Sequence, residues 1–87
     1  MREQSIKIAK LFYQSREVEG YRELLLWIEE FTDFLDKMQG TEGKEEQTIG
    51  LYQLLQEILK AMEQGDIVLI ADILKYDLQK LLQDLEE

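Results

Sequence analysis

Carboxylates are the only abundant reactive groups in this chain. Its 87 residues include neither cysteine nor histidine, which removes disulfides, thiolate or imidazole metal ligands, and imidazole acid–base chemistry together. Acidic residues number 19 against 10 basic ones. Glu29, Glu30, Asp33 and Asp36 make the densest group, and Glu29 and Asp33 stand one helical turn apart, as paired carboxylates or metal ligands could. Di-iron bundles, however, take a Glu-x-x-His pair from each of two helices, and the histidines are missing. On a helical projection the four acids lie opposite the apolar side of their segment, so a solvated face is expected. Asp72 interrupts the apolar run from Ile67 to Leu74 but points away from its main stripe, with Lys75 and Tyr76 within helical reach; an exposed, partly paired group is expected. Asp66 and Asp72 lack calcium-loop spacing. The glycines are too isolated to cradle a phosphate, and Ser5 and Ser15, the two serines, sit in no nucleophile motif. No catalytic, cofactor-binding or metal-binding residue is assigned, and an enzyme is not expected.

The elements that would carry any site are helical. Proline is absent, so their ends are read from glycines, caps and phase. Tyr21, Leu24, Ile28, Phe31, Leu35 and Met38 recur at three- and four-residue steps, one face of a helix over about 16–39. Carried backwards, the same phase meets Glu17, Gln14, Lys10 and Lys7, so the stripe breaks near Ser15–Gly20, with Ser15 a candidate N-cap. Gly20 falls on the apolar side, either to admit a close approach or as a weak point. The segment 3–14 has Ile6, Ala9 and Tyr13 on one side and Ile8, Leu11 and Phe12 around another; a lone strand would have nothing to pair with, so helix is expected. Gly40 suits a left-handed cap. A third helix over 44–63 carries Leu51, Leu55, Ile58 and Met62, flanked by Tyr52 and Leu59 on one side and Leu54 and Ala61 on the other. Gly65 closes it and Asp66 caps the last helix, 66–86, whose stripe is Ile67, Ala71, Leu74, Leu78, Leu81 and Leu85. This pattern predicts a single all-α domain, an up-down bundle of three to four helices. The second helix alone would be about 35 Å long, which points to an elongated or dimeric bundle.

Composition narrows the partners. Net charge is −9, with only residues 1–20 slightly positive. That leaves no basic face to follow a nucleic-acid backbone or an anionic membrane. No apolar run approaches a membrane span and the polar N-terminus does not resemble an export signal, so a cytoplasmic protein is expected.

Apolar surface exceeds what one small core needs. Trp27 and Phe34 edge the main stripe of the second helix on one side and Leu25 on the other, while Leu26 stands alone on the polar side. Leu69, Ile73 and Tyr76 make a second stripe on the last helix. Either the N-terminal segment covers it, or it meets another subunit or protein. Trp27, Phe34, Leu69, Ile73 and Tyr76 are therefore the candidate interface residues.

The stretch Gly65-Asp66-Ile67-Val68-Leu69-Ile70-Ala71-Asp72-Ile73-Leu74-Lys75-Tyr76-Asp77-Leu78, with Glu19-Gly20-Tyr21 before an apolar helix, resembles segments of a family of small uncharacterised bacterial all-helical proteins. The resemblance implies a bacterial cytoplasmic helical domain and brings no activity. The expected function is a non-enzymatic protein–protein interaction or self-association domain without a cofactor, acting as a homodimer or with another protein. A small acidic chaperone or adaptor for a partner's amphipathic helix is the alternative, and a bundle holding a metal through carboxylates alone is the third.

Overall fold

Glycine and aspartate set the sharpest joint. Gly65 takes φ +67° and its N–H reaches back to the carbonyls of Ala61 and Met62. Asp66 then accepts the Leu69 N–H at 3.1 Å, satisfying an orphan amide at the start of the next helix. The computed structural model describes residues 1–86, with side chains through residue 85. Its helices are α1 (Arg2–Tyr13), α2 (Glu17–Met38), α3 (Glu45–Gln64), α4 (Ile67–Asp72), a π-helical segment (Ile73–Asp77) and α5 (Leu78–Glu86). Asp72, Ile73 and Leu78 all keep helical angles, so the last three pieces form one continuous C-terminal helix. There is no strand among the described residues.

The turn between α1 and α2 differs from expectation. Ser15 does not cap α2. It sits at φ +61°, the left-handed position that ends α1, with its N–H on the Phe12 carbonyl and the Arg16 N–H on that of Leu11, at 3.0 and 2.9 Å. Arg16 takes the N-cap place of α2 without a side-chain cap, and its guanidinium instead grips both oxygens of Glu19. Gly20 answers the choice left open above. A Cβ there would come within 2.8 Å of the Phe12 ring, so the missing side chain is space for an aromatic.

The four helices run up, down, up and down. Phe12 lies at Gly20 and Met1 at Trp27, Tyr52 reaches Asp36 and Gln39, Tyr13 meets Asp72, and Arg2 meets Gln79. The pairings run antiparallel: passing back along α1 from Tyr13 and Phe12 to Arg2 and Met1, the partners advance from Gly20 to Trp27 on α2 and from Asp72 to Gln79 on the C-terminal helix. α1 packs on α2 and the C-terminal helix, α3 packs on the C-terminal helix and, most thinly, on α2. One core fills the ring, with Trp27 stacked on Phe31 at 4.6 Å and buried with Phe12, Leu24, Leu51, Ile58 and Leu78. The bundle is elongated, 40 × 23 × 18 Å. At ~1.5 Å per residue, α1 covers roughly 18 Å of the roughly 33 Å of α2, so four helices pack at one end and three at the other.

The C-terminal helix departs from its expected stripe. Ile70, Ile73 and Leu82 are buried beside Ala71, Leu74 and Leu78, whereas Ile67, Leu81 and Leu85 are only partly covered. Two causes act together. Contact with α1 and α3 on two sides widens the buried arc, and the π segment takes extra residues per turn and shifts the phase beyond it.

Candidate functional site

The π segment borders an exposed cluster of hydrogen-bonded and cation–π contacts. Within it, the Leu78 N–H reaches back five residues to the Ile73 carbonyl. The Leu74 carbonyl, the ordinary α-helical acceptor for that N–H, receives the Gln79 side-chain amide at 2.8 Å. The same amide donates to the Ser5 hydroxyl at 2.7 Å, and Arg2 donates to the Gln79 carbonyl oxygen at 3.2 Å. Ser5 is fully buried, and its hydroxyl donates in turn to the Arg2 carbonyl. This chain of hydrogen bonds fastens α1 to the wide turn, and no buried side-chain polar atom among the described residues lacks a partner.

Above that fastening, Tyr13 of α1 donates its hydroxyl to the Asp72 carboxylate across 59 residues of sequence. Lys75 lies over both the Tyr13 and Tyr76 rings, with its ammonium 5.4 and 5.3 Å from their centroids. Desolvation, then the hydrogen bond and charge of Asp72, push the Tyr13 hydroxyl up to about 12. Tyr13, Leu69 and Tyr76 nonetheless present 42%, 41% and 58% of their surface to solvent. The result is a pair of exposed tyrosines held in place by a carboxylate and an ammonium, with a leucine one and two turns away on the same helix. It offers shape and apolar area.

The five candidate interface residues part company here. Trp27 and Ile73 are corrected: both are buried in the monomer's own core, Trp27 against Phe31 with its indole N–H on the Met1 carbonyl, and Ile73 beneath α1. The N-terminal helix thus covers the middle of the Leu69–Ile73–Tyr76 stripe and leaves its two ends exposed. Phe34 is half-buried and lies elsewhere, in an open groove of about 800 Å³ where α1 stops short, with Met1, Ile6, Leu82 and Leu85. Leu69 and Tyr76 are exposed on the C-terminal helix, about one turn before and one turn after Asp72. Tyr13 was missed as a site residue, because nothing local ties it to Asp72. Glu29, Glu30, Asp33 and Asp36 are all exposed. No three acidic side chains among the described residues converge as a metal site would require.

A family model, the domain of unknown function DUF8042, matches residues 1–87. The chain belongs to the DUF8042 family. Neither a curated protein nor a solved structure matches it. The resemblance to a small uncharacterised helical family is thereby borne out, and in this DUF8042 domain the fold is an all-α bundle. Among its described residues no helix is long and apolar enough to cross a membrane.

Proposed function

We propose that this DUF8042 domain is a non-enzymatic protein–protein interaction module that binds through the Tyr13–Leu69–Tyr76 patch, either to a second copy or to another protein. The observation that supports the reading is the pair of exposed tyrosines, Tyr13 and Tyr76, on two helices and in contact with Asp72 and Lys75. Tyrosine offers a large amphipathic contact with few torsions to lose, and here Asp72 and Lys75 already restrain the rings before any partner arrives. Where such a tyrosine is a hot spot of an interface, its truncation costs about 2 kcal/mol or more. A cytoplasmic setting and a bacterial source belong to the same proposal. Both rest on the sequence pattern.

Solution mass by light scattering over a concentration series tests the self-association branch. A dimer whose dissociation constant rises at least about tenfold (~1.4 kcal/mol) in Leu69→Asp or Tyr76→Asp, with unchanged thermal melting, supports it. A monomer at every concentration moves the patch to a heterologous partner. A dimer indifferent to both substitutions overturns the assignment of the patch.

A further inference from the structure

The α2–α3 seam is a second, separate surface. Tyr52 marks where the two helices face one another, since its hydroxyl lies 3.5 Å from Asp36 and accepts from Gln39 at 3.0 Å. Leu25 stands eleven residues before Asp36 and Leu59 seven residues after Tyr52. Both intervals are close to whole turns, so the two leucines extend the facing sides of the antiparallel pair. Here α2 and α3 pack most thinly of all neighbouring helices, and Leu25 and Leu59 keep 56% and 45% of their surface exposed. Between them Ile28 and Leu55 are only partly covered by the core. The seam is therefore an apolar strip with leucine lips, on a different side of the molecule from the tyrosine patch.

Its margins are acidic. Glu29 and Glu63 follow the same two faces by the same whole-turn intervals, and Asp33 and Asp36 continue the α2 margin. Among the described residues none of these four makes an ion pair, and over residues 22–37 and 52–63 seven acidic residues stand against three basic ones, Arg22, Lys37 and Lys60. We propose that this seam is a docking groove for a basic amphipathic helix of a partner protein, leucine-like side chains entering the strip and lysines or arginines meeting Glu29, Asp33, Asp36 and Glu63. A second copy fits poorly. A two-fold interface sets the same patch against itself, so acidic margin would meet acidic margin between chains that each carry −9. The inference extends the interaction-module reading to another face, and the variants below separate the two.

The test is fluorescence anisotropy with the full chain and a labelled synthetic 18-residue helix bearing leucines on one side and lysines on both flanks (about 27 Å long). Saturable binding is expected. Leu25→Gln with Leu59→Gln, which leaves charge unchanged, should weaken it at least about tenfold. Glu29→Gln with Glu63→Gln should weaken it several-fold and flatten its salt dependence, and Tyr76→Asp should leave it as in the wild type. Amide chemical-shift changes in the wild-type chain should concentrate in residues 25–36 and 52–63, an outcome independent of how the variants fold. Equal binding by a peptide with glutamates in place of lysines overturns the proposal. So does binding indifferent to the leucine pair, shift changes centred elsewhere, or a homodimer that the leucine pair dissolves.

Discussion

Tyr13 holds its proton more tightly in the fold than a free tyrosine does. Loss of hydration and the Asp72 carboxylate both oppose a phenolate, and they move the hydroxyl from 10 to about 12. Because the folded chain binds this proton more strongly than the unfolded one, the associated stability is complete below pH 10. It falls as pH rises from 10 towards 12. Spectrophotometric titration of the tyrosines should therefore show one of the four ionising near 12, and Asp72→Asn should lower it only in part, because desolvation, the larger cause, stays in place. A Tyr13 that already titrates at 10 in the wild type would mean the hydroxyl and carboxylate are apart in solution. At the same scale, Gly20 and Ser15 show how one residue sets a joint. Gly20 leaves room for the Phe12 ring, and Ser15 accepts a left-handed backbone so that α1 can stop and α2 can turn back along it.

The C-terminal helix is where one element accommodates two neighbours. Ile73, Leu78 and Leu82 are all buried, and the π segment from Ile73 to Asp77 shifts the phase of the faces on either side of it. The displaced carbonyl of Leu74 is the weak point of such a turn, and Gln79 covers it while holding Ser5 and Arg2. Gln79→Ala should therefore lower stability by about 1–3 kcal/mol, seen as a drop in Tm of very roughly 5–20 °C for a domain of this size. Ser5→Ala added to it should cost less than it does alone, since the two share one network. A Gln79→Ala variant within about 0.5 kcal/mol of the wild type, the range of ordinary surface changes, would remove the network from the account of the π segment.

As a whole, the molecule has a single core that every helix enters, with the single tryptophan fully buried in it. Among the described residues the buried apolar side chains form one cluster. Urea unfolding followed by Trp27 fluorescence and by far-ultraviolet circular dichroism should give coincident transitions. An earlier change in fluorescence would show that the helices outlast the packing around Trp27 and Phe31. The two proposed binding surfaces lie outside this core, the tyrosine patch across α1 and the C-terminal helix and the leucine seam between α2 and α3. Binding at either therefore need not open the bundle.

Much of this was written locally. Helical periodicity, the Gly65-Asp66 joint, the left-handed Gly40 and the solvated acids of α2 depend on neighbours three or four residues away, and such short-range rules act before any tertiary contact forms. The fates of Trp27, Ile73 and Tyr13 depend on residues tens of positions distant. Trp27 and Ile73 look like surplus apolar surface until α1 folds back over them, and Tyr13 looks like an ordinary edge residue until Asp72 arrives from the other end of the chain. The phase shift at Ile73–Asp77 is of the same kind. A heptad-like spacing can be read along one helix, but how many sides of that helix are buried is settled by the number of neighbours packed around it.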